Sequence, residues 1–193
     1  MDAVSDRARQ SRNSERTRAA VLSAAVRAFA EKGTGVSLAS IAKDGGVSKG
    51  GLLHHFPTRE ALIVALVDDA NRRFRAAVQS HLDLSENQPG KMLRAYVRAL
   101  CSGAEETVEY FTSAPSWVGV YDIPEVADLS RADERWWAEQ FAIDGLPADR
   151  IFVVRRAAEG LAAAMAYGGQ PADEVAVQRE LLLSLTLGGH LSA

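Results

Sequence analysis

The side chains best suited to catalysis or metal binding are few in this sequence. It contains one cysteine, Cys101, and four histidines, of which only His54 and His55 lie close together. Adjacent residues point about 100° apart on a helix, so we do not expect these two histidines to chelate one metal ion. The HExxH, P-loop and GxSxG patterns are absent. We therefore expect no enzyme, no metal site and no cofactor.

A second group of polar residues is organised for binding rather than catalysis. Residues 37–56 read SLASIAKDGGVSKGGLLHHF, in which Ser37 and Ser48 are placed to cap two short helices around a glycine turn. Such a pair is the helix-turn-helix pattern, whose second helix presents its N-terminal end to the major groove of DNA. Lys49 is the first long donor of that second helix, and we expect it to meet a guanine edge. An ordinary helical core is the alternative that this pattern alone leaves open.

The charge distribution also favours a polyanion partner at one end of the chain. Residues 1–59 contain 10 Lys and Arg against 5 Asp and Glu, whereas residues 60–193 contain 12 against 20. We predict residues 1–14 to be a disordered basic arm, which either enters the minor groove of DNA or stays solvated. The arginines near this end are Arg7, Arg9, Arg12, Arg16 and Arg18.

Apolar residues recur with helical spacing along most of the chain, and strand patterns are nearly absent. We predict an all-α protein of about nine helices. A helix-turn-helix domain over 15–60 is joined by a long helix, 59–81, to a C-terminal ligand-binding and dimerisation domain over 61–193. The other helices are predicted over 15–32, 38–44, 48–56, 91–102, 105–121 with a bend near Pro115, 125–143, 148–167 and 172–187.

No apolar run is long enough to span a membrane, and the first residues lack the apolar region of a signal peptide. The single cysteine excludes an internal disulfide. We therefore expect a cytoplasmic protein without a membrane partner.

The acidic part of the chain carries most of the aromatic residues, which suits either a small-molecule pocket or simple core packing. The residues predicted to bind a ligand are Tyr96, Tyr110, Phe111, Trp117, Tyr121, Trp137 and Phe141. Trp136 adjoins Trp137, and both cannot face inward from one helix.

The last two predicted helices have the character of an interface. Small residues spaced along one of them permit close helix approach, and the LLLSLTL stretch over 181–187 is apolar nearly all round. In a monomer this would expose an apolar patch. The residues predicted at a dimer interface are Ala157, Gly160, Leu161, Ala164, Leu182 and Leu185.

Residues 15–70 closely resemble the N-terminal domain of the tetracycline-repressor (TetR) family. The resemblance is carried by an alanine-rich helix ending in FAEKG, the SLASIAKDGGVSKG core, the HHF ending and the restart from Thr58 to Leu62. It implies an all-helical homodimer that binds two half-sites of double-stranded operator DNA and usually releases it when a small molecule enters the C-terminal domain. The dimer would form through the last two helices. The C-terminal part shows no motif of a particular subgroup, so the resemblance implies no specific effector.

The resemblance also implies which residues contact DNA. His55 and Arg59 match positions that meet phosphate, whereas His54 points more toward base edges. Two positions depart from the family pattern. Gly51 stands where Thr, Ser or Ala is usual, and Leu53 stands where Tyr is often found. Fewer side chains are therefore available for base readout. The predicted DNA-contacting residues are Ser37, Ser48, Lys49, Gly50, Gly51, Leu53, His54, His55 and Arg59.

These observations predict a ligand-responsive transcriptional regulator that acts as a repressor. A ligand would favour a conformer whose recognition helices are too far apart for successive major grooves. The alternatives are a sequence-tolerant architectural DNA binder, for which the net charge of −3 is unfavourable, and an α-helical enzyme.

Overall fold

The computed structural model describes residues 2–33, 35–112 and 120–187. Within these ranges it contains nine α-helices, one short 3₁₀ helix at Val120–Asp122 and no strand. The all-α prediction is therefore confirmed. The helices are α1 (Asp2–Lys32), α2 (Leu38–Asp44), α3 (Lys49–His55), α4 (Arg59–Ser80), α5 (Lys91–Leu100), α6 (Glu105–Thr112), α7 (Pro124–Ile143), α8 (Ala148–Ala166) and α9 (Ala172–Thr186).

The chain divides into two compact units, made from the described residues of 1–68 with 117–126 and of 69–116 with 127–193. Helix α4 is continuous and contributes to both. The prediction of a domain boundary near residue 60 placed it at the start of this helix, whereas the division into compact units falls within the helix.

The first unit contains α1, α2, α3 and the first part of α4. Its core is apolar and uses the residues that recur three and four apart on each helix. The fully buried members with the largest side chains are Val21, Ile41, Leu52, Phe56 and Leu62.

Helix α1 begins earlier than the sequence analysis expected. Residues 2–14, predicted as a disordered basic arm, continue the helix to Asp2. The reason lies in local composition, because the Ala, Arg and Gln residues of this segment are good helix formers and no glycine or proline occurs before Gly33. The prediction of disorder considered only the charge of these residues, whereas their helix propensity favours continuation of α1.

The second unit is built around α5, most of which is buried. Its N-terminal end is capped from a distance, since Asp144 accepts hydrogen bonds from the backbone N–H groups of Met92 and Leu93, both at 3.0 Å. The buried Arg94 donates to the carbonyl oxygen of Thr186 at 3.2 Å and forms an ion pair with Glu86 at 2.6 Å. These contacts attach α5 to the end of α9 and to the loop that precedes α5.

The helix predicted over 105–121 is shorter in the structure. Helix α6 ends at Thr112, and the predicted bend near Pro115 lies outside the described residues. Helix α7 then begins at Pro124, in keeping with the preference of proline for the first turn. Among the helices described, none combines the length and apolar character required to cross a membrane.

Candidate nucleic-acid interface

Side-chain caps define where helices α2 and α3 begin. The Ser37 hydroxyl oxygen accepts a hydrogen bond from the backbone N–H of Ser40 at 3.1 Å, which starts α2. The Ser48 hydroxyl oxygen does the same for Gly51 at 3.0 Å, which starts α3. Both caps were predicted, because Ser satisfies an otherwise unpaired N–H in the first turn.

The turn between α2 and α3 requires both of its glycines. A Cβ atom at Gly45 would lie 3.3 Å from the carbonyl oxygen of Ala20, so α1 packs directly against this turn. Gly46 has a φ of +66°, a conformation that side chains rarely adopt. The next residue, Val47, is bonded to α2, since its N–H donates to the carbonyl oxygen of Ala42 at 2.9 Å. The turn therefore fixes the angle at which α3 leaves α2.

Helix α3 has an apolar side toward the core and a polar side toward solvent. Leu52 is fully buried and the capping residue Phe56 is 2 % exposed. The predicted DNA-contacting residues lie on the other sides: Lys49, Gly50 and His54 are exposed, and Gly51, Leu53 and His55 are half-buried. The His54 and His55 rings meet edge to face, with centroids 5.4 Å apart. Within the described residues no group of three potential metal ligands occurs.

Arg59 has a structural contact that the sequence analysis missed. Its Nη2 atom donates to the carbonyl oxygen of Val36, next to the capping residue Ser37. The guanidinium therefore ties the start of α4 to the start of α2. A backbone acceptor leaves no pattern in the sequence, so nothing there signalled this contact. Arg18, placed near the basic end of the chain, packs its guanidinium 5.4 Å from the Phe56 ring centre.

The aromatic residues of the second unit form one closely packed cluster. The ring centroids of Tyr96 lie 4.8 Å from Trp137, 5.2 Å from Phe141 and 5.5 Å from Phe74. Tyr110 stacks on Phe74 at 4.4 Å. Four of the predicted ligand-binding residues, Tyr96, Tyr110, Trp137 and Phe141, thus belong to one region.

The other predicted ligand-binding residues do not join this cluster. Tyr121 is 56 % exposed and belongs to the first unit, because it lies on the 3₁₀ helix rather than on a helix of the second unit. Trp117 and the side chain of Phe111 lie outside the described residues. Of the adjacent tryptophans, Trp137 is buried and Trp136 is half-buried, in agreement with the prediction that they face differently.

Polar groups at the edge of the cluster are paired with one another. The Tyr96 hydroxyl donates to Glu159 Oε1 at 2.8 Å, and Arg155 Nε donates to the same oxygen at 2.8 Å. Burial raises the pKa of Tyr96, and the negative charge of Glu159 adds to that effect. The hydrogen bond from Arg155 holds the pKa of Glu134 below its usual range.

Helices α8 and α9 each expose an apolar side. On α8 the predicted interface residues Ala157 and Gly160 are exposed, and Ala164 is half-buried. On α9 Leu181 is 60 % exposed, although sequence reasoning did not select it. Three predicted interface residues face inward instead: Leu161 and Leu182 are core residues and Leu185 is half-buried. Because 181–187 is apolar nearly all round, its sequence does not reveal which side faces out.

Two family models match the chain. Residues 21–66 match the bacterial regulatory proteins of the tetR family, and residues 90–187 match the tetracyclin repressor-like C-terminal domain. The chain belongs to the TetR family. It is therefore a DNA-binding transcriptional regulator, and the first match covers α2, α3 and the turn between them.

Solved TetR-family structures share the fold of this chain. A putative TetR-family transcriptional regulator from Rhodococcus sp. is 19 % identical, with a TM-score of 0.70 and coverage of 90 % of this chain and 100 % of the other. A transcriptional regulator from Rhodococcus sp. Rha1 is 20 % identical, with a TM-score of 0.71 and coverage of 88 % and 95 %. LfrR from Mycobacterium smegmatis, solved in complex with proflavine, is 23 % identical, with a TM-score of 0.56 and coverage of 92 % and 99 %. No curated protein matches the chain.

Gly50 offers a test of close DNA approach in which stability and binding change in opposite directions. A Cβ atom there would lie 4.0 Å from its nearest neighbour, Ser48 Oγ, so alanine fits without strain. Gly50→Ala is expected to stabilise the fold by about 0.5–1 kcal/mol and to weaken operator binding, because the added methyl group meets the DNA. Thermal unfolding and operator titration measure the two effects. Gly35→Ala, also in open space, is the control and should leave operator affinity unchanged.

Proposed function

We propose that this TetR-family regulator is a repressor that binds operator DNA as a homodimer and releases it when a small molecule binds the second unit. The observation that carries the proposal is the capped helix-turn-helix, in which α3 exposes Lys49 and His54 while Leu52 anchors it to the core. Such a helix can enter the major groove with its polar side outward. The cytoplasm is then its place of action.

Homodimerisation is supported by the exposed sides of α8 and α9. Val177 is 71 % exposed, Leu181 is 60 % exposed and Tyr167 is 66 % exposed, which is costly for large apolar groups in water. Around Gly160 a Cβ atom would have no neighbour within 4 Å, so a partner helix can approach the α8 backbone closely. Two copies joined through these helices would present two α3 helices to two half-sites.

Response to a small molecule is supported by relatives and by the aromatic cluster. LfrR was solved with proflavine, and a second relative, the multidrug binding protein EbrR, was solved with imidazole. In this chain Phe74, Tyr96 and Trp137 form the closely packed aromatic cluster of the second unit, and we assign the small molecule to this cluster. A ligand that binds better to the conformer with mismatched half-site spacing shifts the population away from DNA.

The experiment that tests this function is selection of bound sites from random double-stranded DNA, followed by a metabolite screen for release. A repressor of this kind is expected to select a two-fold symmetric site and to protect it in a footprint. Sequence-blind binding that falls steeply with salt would favour the architectural DNA binder instead. Absence of any DNA binding would refute the proposal.

A further inference from the structure

Helix α7 presents a carboxylate and an aromatic ring to one arginine of α4. Arg75 Nε donates to Asp133 Oδ1 at 2.8 Å, and Arg75 Nη2 donates to the same oxygen. The Arg75 guanidinium carbon lies 4.2 Å from the ring centre of Trp136, within the range of a cation–π interaction. We call Arg75, Asp133 and Trp136 the α4 clamp.

The α4 clamp differs from a surface ion pair in its burial. The Asp133 side chain is 8 % exposed and that of Arg75 is 28 % exposed. Burial raises the pKa of Asp133, and the hydrogen bond and charge of Arg75 act against that shift. The charge of Arg155 acts in the same direction, and Arg75 makes the largest contribution that favours the Asp133 carboxylate. Asp128 and Arg131, also on α7, form an ion pair whose side chains are 73 % and 62 % exposed. Such an exposed pair contributes little to stability.

A chain of ionic contacts continues from the α4 clamp into the rest of the second unit. Glu134, the residue after Asp133, accepts hydrogen bonds from Arg155 of α8, the Nη1 bond measuring 2.9 Å. Arg155 also contacts Glu159, which accepts the hydroxyl hydrogen of Tyr96. The contacts at Asp133 and Glu134 thus join α4 to α8 and to the aromatic cluster through adjacent residues of α7.

We propose that the α4 clamp holds α4 in the orientation required for operator binding, with Asp133 as its central positioning residue. This inference rests on the proposed function. Helix α4 begins at Arg59, just after α3, and Arg75 is 16 residues further along the same helix, which corresponds to about 24 Å. A dimer binds well only in the fraction of time that its recognition helices have the correct spacing. Releasing Arg75 lowers that fraction, so operator affinity falls.

The test compares Asp133→Asn with the parent on a series of operators. The series uses the selected operator and versions whose half-sites are one base pair closer or further apart. Asp133→Asn keeps the shape of the side chain and removes its charge. We expect at least a fivefold loss of affinity for the selected operator and a flatter dependence on half-site spacing. The exposed-pair variant Asp128→Asn is the matched control and should behave like the parent.

The spacing series separates positioning from a loss of folded protein. A purely structural defect would lower the active fraction but leave the spacing preference unchanged, and that result would overturn the proposal. Unchanged or increased affinity in folded Asp133→Asn would overturn it too. If Asp133→Asn does not fold, Arg75→Lys is tested in its place, since lysine keeps the charge and loses the two-nitrogen contact. A spacing profile like that of the parent in Arg75→Lys would then contradict the proposal. Failure of the parent to select any operator would instead refute the proposed function.

Discussion

Gly160→Leu is expected to give monomers at micromolar concentration while each chain stays folded. A side chain at Gly160 has open space within its own chain, because no atom lies within 4 Å of its Cβ position. Leucine also has a higher helix propensity than glycine by up to about 1 kcal/mol. The substitution therefore spares the fold and acts against a second helix packed on α8. Sedimentation or light scattering reports the mass, and circular dichroism reports the helix content.

The loss of the dimer is expected to reduce operator affinity by at least about 100-fold, because a monomer engages one half-site and loses the gain from the second. Ala132→Leu on α7 is a suitable control, since it also adds bulk at an exposed helical position but outside the proposed interface. A Gly160→Leu protein that keeps the dimer mass would show that α8 does not form the interface.

Lys49→Ala is expected to have the largest effect among the α3 side chains. A bidentate contact with a guanine edge discriminates by about 1–3 kcal/mol, so operator affinity should fall by roughly 5- to 150-fold for each half-site that loses the contact. Lys49 is exposed at the first position of α3, and its neighbours Gly50 and Gly51 offer no side chain to replace it. Site selection with the variant should show relaxed preference at one base pair of each half-site.

Arg59→Ala provides the contrast for Lys49→Ala. A phosphate contact carries no base information, and the bond from Arg59 to the Val36 carbonyl oxygen acts on the position of α2. Its loss should therefore weaken binding about equally across DNA sequences. Equal loss of base preference in the two variants would contradict the assignment of Lys49 to base readout.

Local features of the fold and of the candidate site could be predicted from the sequence. The caps at Ser37 and Ser48 involve residues three apart, and the glycine turn between α2 and α3 is contiguous. Each feature is therefore encoded by a short stretch of sequence. Helix periodicity likewise predicted all nine helices, although α6 is shorter and α1 is longer than predicted.

Contacts between distant residues could not be predicted in this way. The bond from Arg59 to Val36 spans 23 residues, that from Arg75 to Asp133 spans 58, and that from Arg94 to Thr186 spans 92. Charged residues are common on helices, and their sequence does not say which will be buried together. The same limit explains Tyr121, whose aromatic ring suggested a pocket although it is exposed.

Because Cys101 is buried at the end of α5, its reaction with a thiol reagent reports on the packing of the second unit. Burial raises the pKa of its thiol to about 11, so the reactive thiolate is scarce at neutral pH in the closed domain. Since the chain has no other cysteine, every equivalent of a thiol reagent consumed reports this one position. The rate of labelling therefore measures how often the packing around α5 opens, and its slowing by an added metabolite would reveal binding before any DNA is present.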